Sequence, residues 1–339
     1  MSKPAMSEFE LIKRYFVRPT TEDSATSPMH QGVALGIGDD CALLQPAGNM
    51  ELAISTDLLV EGRHFFPGAD PEALGHKALA VNLSDLAAMG ATPVGFTLAL
   101  AMPVIDTDWL DAFSTGLFAL ADMHGCTLIG GDTTKGPLTI CITVFGEVAQ
   151  GSALRRDKAV PGDDIWVSGS LGDARLALAA LRNELVNGLR LALSPEQLKQ
   201  ALHCLHRPTP RLALGIALRG AAHAAIDISD GLGGDLGHIL ERSNCGATIN
   251  IDALPVGPAL QMQSMAVRRA WSLSGGDDYE LCFTAPPQHR TAIAAVGLST
   301  DTALSRIGAI TSGTGLKLVD AQGAELAMPF SSFDHFHIP

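Results

Sequence analysis

His76-Lys77-Ala78-Leu79-Ala80-Val81-Asn82-Leu83-Ser84-Asp85-Leu86-Ala87-Ala88-Met89-Gly90-Ala91-Thr92-Pro93 is the stretch on which the fold turns. Leu, Ala and Met are good helix formers, and Gly90 followed by Thr92-Pro93 is a strong stop, so the pattern predicts a long apolar helix over about Glu72–Met89. Asn82 and Asp85 stand out in it. They lie at i, i+3 and share one helix face. That face is either a narrow solvent stripe or a place where a partly buried carboxylate needs a cation or donors to stay ionised.

Working outward, an apolar run at Phe96–Ala101 reads as a strand, and Asp108–His124 as a second helix that stops at Gly125. Thr127–Ile129 and Leu138–Val148 read as strands around a loop, Gly130-Gly131-Asp132-Thr133-Thr134-Lys135-Gly136. Upstream, Ser7-Glu8-Phe9-Glu10 has the form of a capping box for a short amphipathic helix carrying Phe9, Ile12 and Phe16. Residues 17–31 read as a mobile loop, and Cys41–Leu44 and Leu52–Ser55 as strands. The polar, turn-rich Gln150–Gly162 marks a boundary between domains 1–150 and 151–339, in keeping with a length of 339 residues. Beyond it come a strand at Ile165–Val167, helices at about Ala174–Asn187 and Pro195–Cys204, a strand at Ala225–Ile228 and a helix at Gly234–Ser243. Strands near Ala247–Ile251 and Glu280–Thr284 and in the C-terminal stretch complete the pattern. The mixture is α+β or α/β, and periodicity alone does not choose between them.

Hydrophobic residues make up 47% of the chain and charged residues 17%, the balance of a globular protein. No apolar run reaches the length of a membrane helix, and MSKPAMSEFE lacks the core of a signal peptide, so the cytoplasm is the expected compartment. Six scattered cysteines without a CxxC pair are expected to be reduced and mostly buried. A net charge of −13 with no Lys/Arg cluster excludes nucleic acid as a natural partner. Phosphorylated small molecules remain compatible, because divalent cations can stand between carboxylates and phosphates.

Four segments share a design of small residues next to short carboxylates: Gly36-Ile37-Gly38-Asp39-Asp40, Ser55-Thr56-Asp57, Gly130-Gly131-Asp132-Thr133-Thr134 and Asp227-Ile228-Ser229-Asp230-Gly231. Any one alone is an ordinary turn or cap. Four together point to a shared polyphosphate site, since Asp and neighbouring hydroxyls supply the hard oxygens that Mg²⁺ prefers. The chain has no GxxxxGK[ST] loop, no HRD or DFG kinase motif and no HExxH. Gly231-Leu232-Gly233-Gly234-Asp235-Leu236-Gly237 follows a strand and opens a helix, but its spacing is not GxGxxG. No Ser-His-Asp or Cys-His arrangement suggests a side-chain nucleophile.

The segments GIGDDCALL (36–44), STDLLVEGRHF (55–65), HKALAVNLSDLAAMGATP (76–93), LIGGDTT (128–134), AIDISDGL (225–232), SGGDDYELCF (274–283) and FDHF (333–336) together resemble the thiamine-monophosphate kinase family. Its superfamily includes aminoimidazole ribonucleotide synthetase and selenophosphate synthetase. The resemblance implies two α+β domains, an N-terminal sheet that pairs across a homodimer, and ATP and thiamine monophosphate as substrates. It also implies several Mg²⁺ ions held by Asp40, Asp57, Asp85, Asp132, Asp227 and Asp230, with oxygens from Ser55 and Thr56. ATP contacts carry over to Gly131, Asp132, Arg156 and Ser229, and substrate contacts to His64, Asp277 and Phe333. One departure is Asp277, where the family commonly has Glu in SGGxDYEL. Competing readings are a related ATP-dependent synthetase, whose Gly-rich loop with a catalytic Cys or selenocysteine is absent here in the selenophosphate form, and a nucleotide or metal sensor without turnover.

Overall fold

The computed structural model describes residues 8–17, 32–37, 41–186 and 189–328. Asp40, Phe333 and the FDHF segment lie outside the described residues, as do Ser7 of the capping box and residues 18–31. The chain divides into two compact units, one within Met1–Leu86 and Ala91–Gly151, the other within Ala87–Gly90 and Ser152–Pro339.

In the first unit α1 (Glu8–Tyr15) precedes a short antiparallel pair, β1 (Val33–Leu35) and β2 (Leu43–Leu44). Then come β3 (Met50–Val60), α2 (Pro71–Met89), β4 (Thr92–Met102), α3 (Thr107–Met123), β5 (Thr127–Lys135) and β6 (Thr139–Ala149). The last four strands form one sheet in the order β3-β6-β4-β5, antiparallel except for the β4–β5 pair. Alternation places Ile140, Ile142, Val144 and Val148 of β6 and Phe96, Leu98 and Leu100 of β4 on the buried face. That face receives α2, whose Leu86 packs on Gly146.

Gly75 sits in mid-α2 for a packing reason. A Cβ there would lie 2.1 Å from the Phe113 carbonyl, and one on Gly116 of α3 would lie 1.8 Å from the Glu72 carbonyl, so the two helices cross backbone to backbone. The opposite face of the sheet is exposed and carries three large apolar side chains among polar ones: Leu52, Ile54 and Leu58 of β3 project there at 39%, 59% and 51% exposure.

The expected loop at 130–136 is instead strand as far as Lys135. Parallel pairing of Gly130–Lys135 with Thr97–Met102 overrides the low strand preference of two glycines. At Gly131, with φ +146, any Cβ would fall 1.8 Å from the Leu98 carbonyl, so only glycine fits the pair. Likewise Ser55-Thr56-Asp57 lies mid-strand rather than after a strand end, because β3 runs on to Val60.

The second unit contains β7 (Asp164–Ser168), α4 (Asp173–Leu181), a short hairpin of β8 (Leu185–Val186) and β9 (Leu189–Arg190), α5 (Pro195–His206) and α6 (Leu212–Leu218). It continues with β10 (Ala224–Ile228), α7 (Leu232–Ser243), β11 (Gly246–Asn250), α8 (Met265–Ser274), β12 (Glu280–Ala285), α9 (Arg290–Ser299), β13 (Leu304–Thr311) and β14 (Gly315–Val319). Its six-stranded sheet has the order β10-β12-β7-β13-β11-β14, antiparallel except for the β11–β14 edge. Each unit therefore has a mostly antiparallel sheet with helices, which decides for α+β over α/β. Ile165, Ile226, Ile228, Leu232, Leu236 and Ile239 form the centre of the second core. The first predicted helix of this half ends at Leu181 rather than Asn187, because the chain turns into the β8–β9 hairpin. All six cysteines are free; Cys126, Cys245 and Cys282 are buried, Cys141 and Cys204 half-buried, and Cys41 exposed.

Candidate active site

In the first unit, Ser55 and Asp57 point from β3 toward α2, since their row partners on β6, Val144 and Ile142, lie on the buried face. Asn82 ties the two elements. Its Oδ1 accepts from the Asp57 amide at 3.1 Å while its Nδ2 donates to the Ala78 carbonyl at 3.0 Å. One turn on, half-buried Asp85 accepts a hydrogen bond from the Ser55 hydroxyl. The interrupting face of α2 is thus no solvent stripe; it grips β3 and gathers Ser55, Asp57 and Asp85. Asp57's negative charge, after burial, raises the Cys141 thiol above its usual range. His64 sits on the turn after β3, with Nδ1 accepting from the Val60 amide at 2.9 Å, so Nε2 carries the ring proton.

Two predicted residues lie elsewhere on this sheet. Thr56 faces the opposite side, where its hydroxyl bonds Thr143 Oγ1 at 2.8 Å. Asp132 is exposed on β5, paired with exposed Ala99, and accepts from the Thr133 amide at 2.9 Å. Three strand spacings of about 4.8 Å put it roughly 14 Å across the sheet from Asp57, and on the other face. Gly131 precedes it on the same edge strand.

In the second unit, the fully buried strand β10 delivers Asp227 near its end, 4% exposed, and the chain then turns through Ser229-Asp230-Gly231 into α7. Gly231, at φ +111, packs its α-carbon against Ser274 too closely for a side chain. The antiparallel register of β10 and β12 continues past the strands: the Tyr279 amide donates to the Ile228 carbonyl at 2.8 Å and the Asp277 amide to the Ser229 carbonyl at 2.9 Å. Predicted nucleotide and substrate residues, Ser229 and Asp277, are therefore backbone neighbours. Asp277 and Tyr279 both adopt left-handed backbone, φ +67 and +51, uncommon for residues with side chains.

The main chain of Arg156 lies by the other end of α7. Its carbonyl accepts from Ser243 Oγ in the last turn of α7 at 2.8 Å, whereas Ser229 and Asp230 adjoin the first. The ends of a helix of this length are about 16 Å apart at 1.5 Å per residue.

Two buried acids, Asp235 and Glu280, and half-buried Asp278 around the loop were not legible as site residues. Asp235, 3% exposed in the first turn of α7, accepts from the Ser229 and Asp230 amides, and burial followed by Asp230's charge pushes its carboxyl up to about 7. Asp278 accepts from the Gly172 amide at the start of α4, and burial, with Glu280, Asp277 and Asp173 nearby, holds its carboxyl well above the usual range. Glu280 pairs through both oxygens with Arg211, 2.7 Å from Nε to Oε2, and accepts from Ser168 Oγ. The sequence signal for all three was an acid inside or beside an apolar run: Gly231–Gly237 contained Asp235, and the motif 274–283 contained Asp278 and Glu280, without assigning them.

Among the described residues no three His, Cys, Asp or Glu side chains gather into a closed metal site. The donors present are carboxylates and a hydroxyl, which suits Mg²⁺: that ion is held by one or two carboxylates, waters and substrate phosphates rather than by an all-protein cage.

Residues 38–148 match the family model described as AIR synthase related protein, N-terminal domain, and residues 160–321 match AIR synthase related protein, C-terminal domain. Both halves of the chain are thus AIR synthase related domains. The chain is 46% identical over 346 aligned residues to thiamine-monophosphate kinase of Salmonella typhimurium, covering 99% of this chain and 100% of that protein. The solved thiamine-monophosphate kinase of Stenotrophomonas maltophilia is 49% identical with a TM-score of 0.79, over 86% of this chain and 92% of that one. A further solved structure, AaThiL complexed with AMPPCP and TMP, is 29% identical with a TM-score of 0.74, over 86% and 89%. The chain belongs to the thiamine-monophosphate kinase family.

Proposed function

We propose that the protein transfers the γ-phosphoryl of ATP to the phosphate of thiamine monophosphate, giving thiamine diphosphate and ADP. The observation that carries this reading is the pairing of the 228–231 turn with the 275–279 loop, which sets Ser229 beside Asp277 through one backbone bond. Such a junction suits an enzyme that must bring a nucleotide and a second phosphate together. The nucleotide-analogue complex of the homologue AaThiL supports it.

A phosphate monoester acceptor has a second pKa of about 6 and is already ionised near neutrality, so its oxygen attacks phosphorus in line without a strong base. The obstacle is repulsion between two anions. Asp57, Asp85 and Ser55 in the first unit, Asp227 and Asp230 in the second, and Asp40 and Asp132 would hold Mg²⁺, with Thr56 contributing an oxygen. When bound, Mg²⁺ neutralises phosphate charge. Ser229, Gly131 and Arg156 bind ATP in this proposal, and His64, with its Nε2–H outward from the Val60 bond, orients thiamine monophosphate with Asp277 and Phe333. Residues 1–150 carry metal, ATP-phosphate and dimer contacts, and 151–339 complete the nucleotide and substrate site.

We further propose a homodimer through the exposed face bearing Leu52, Ile54 and Leu58, a face no described part of the same unit covers. Because Asp132 lies on that face at the far edge from Asp57, it serves the neighbouring copy's site rather than its own. The working compartment is the cytoplasm, where ATP is supplied; no described helix is long and apolar enough to cross a membrane.

Incubation of the purified protein with ATP, Mg²⁺ and thiamine monophosphate, with chromatography of the products, tests the reaction. Equal thiamine diphosphate and ADP, abolished by EDTA, is the expected result. Folded protein that forms no thiamine diphosphate refutes it.

A further inference from the structure

Helix α7 begins without an ordinary cap. Its N-cap position is Gly231, which offers no side chain, and Gly233 and Gly234 follow, the weakest helix formers short of proline. Something else must fix the turn that leads in. Asp235 reaches back from the first turn, past the cap, so that its Oδ2 accepts from the Ser229 amide at 3.1 Å and the Asp230 amide at 3.2 Å. The usual capping box ties the side chain at the third helical position to the cap residue's own amide. Here the tie extends past the Gly231 amide to the two residues before the cap, which are the ones proposed to meet ATP and metal.

The side chain is 3% exposed, and one of its oxygens is already committed to the two amides. The same short turn is held from a second side, because the Ser229 carbonyl accepts from the Asp277 amide at 2.9 Å. We propose that Asp235 is the positioning residue of the nucleotide turn, fixing the main-chain path of Ser229 and Asp230 by gathering their amides onto one oxygen. The inference rests on the reading of those two residues as nucleotide and metal contacts.

The test compares Asp235→Ala and Asp235→Asn with the wild type. Dissociation constants for Mg²⁺·AMPPCP, and KM for ATP and for thiamine monophosphate, are measured where circular dichroism shows each variant folded. Asp235→Ala weakens Mg²⁺·AMPPCP binding and raises KM for ATP about tenfold or more, while KM for thiamine monophosphate moves less. Asp235→Asn, which keeps an acceptor oxygen in the same place, restores nucleotide affinity to within about threefold of wild type. A folded Asp235→Ala protein that binds Mg²⁺·AMPPCP like wild type overturns the proposal, as does a loss of thermal stability shared by both variants with nucleotide affinity unchanged.

An arm that needs no variant is amide hydrogen exchange on the wild-type protein. The Ser229 and Asp230 amides exchange about 100-fold slower than open-turn amides if the buried oxygen holds them; open-turn rates overturn the inference. Wild-type protein that does not bind Mg²⁺·AMPPCP at all overturns the kinase reading itself, an outcome distinct from variants that match a binding wild type.

Discussion

Replacing Ile54 by Asp isolates the role of the outer sheet face. Full burial of a Leu or Ile side chain is worth roughly 1.5–3 kcal/mol. With 39%, 59% and 51% of Leu52, Ile54 and Leu58 still exposed, their further burial contributes about 1 kcal/mol each, or about 6 kcal/mol over two copies. That is comparable to the lower estimates of association cost, about 4 kcal/mol upward, so the face can sustain a dimer only if nothing in it works against burial. Ile54→Asp removes about 1 kcal/mol per copy and sets a carboxylate opposite a sheet row that pairs it with Phe145. Uncompensated burial of a charge adds several kcal/mol more. A total penalty of at least about 4 kcal/mol weakens dimerisation by roughly 10³-fold. Light scattering after size exclusion, over a dilution series, reads the outcome: wild type dimeric, Ile54→Asp monomeric with an unchanged circular dichroism spectrum. Because Asp132 is assigned to the neighbouring copy's site, kcat falls with the monomer fraction. A wild type that is monomeric throughout, or an Ile54→Asp protein that dimerises as tightly as wild type, refutes the reasoning.

Asp132→Asn should lower kcat by about 10²-fold or more with no loss of thermal stability, since the residue is exposed; near-normal turnover removes it from the site. Arg211→Met leaves Glu280, 8% exposed in its side chain, without its cation, at a cost of about 3–5 kcal/mol. For a unit of this size that lowers Tm by roughly 10 °C, and adding Glu280→Leu should recover much of it; a single variant as stable as wild type contradicts the pairing. Asp278 has its folded pKa raised by burial, so above its unfolded pKa, about 4, the folded state holds a proton that the unfolded chain has released. Stability must therefore fall as pH rises toward the folded pKa. Asp278→Asn, neutral at every pH, should show a flatter Tm curve as pH rises above the unfolded carboxyl's range; parallel curves would mean the carboxyl is ionised in the fold.

Element types along the chain were legible because apolar spacing and Gly or Pro stops are local: α2 ends within a residue of its predicted stop, and β10 and β12 fall where their apolar runs do. Asp85 was legible as an oddity, a carboxylate in an apolar helix, and the structure supplies its reason in the Ser55 hydroxyl. What local pattern does not contain is register. Nothing in GGDTT distinguishes a loop from a strand whose amides meet Thr97–Met102, and the difference moves Asp132 from a point near the other acids to the far edge and opposite face of a sheet. Nor does it contain long-range donors. Asp278 reads as one more acid in a polar motif, yet it is committed to the Gly172 amide, far upstream in the chain. Asp235 is committed locally, to the Ser229 and Asp230 amides, but only the fold shows its side chain turned back past the helix start. A short carboxylate beside glycines is thus ambiguous from sequence between ligand and scaffold, and its partners separate the two: Asp235 spends an oxygen on the Ser229 and Asp230 amides, while exposed Asp132 has an oxygen to offer whatever faces its sheet.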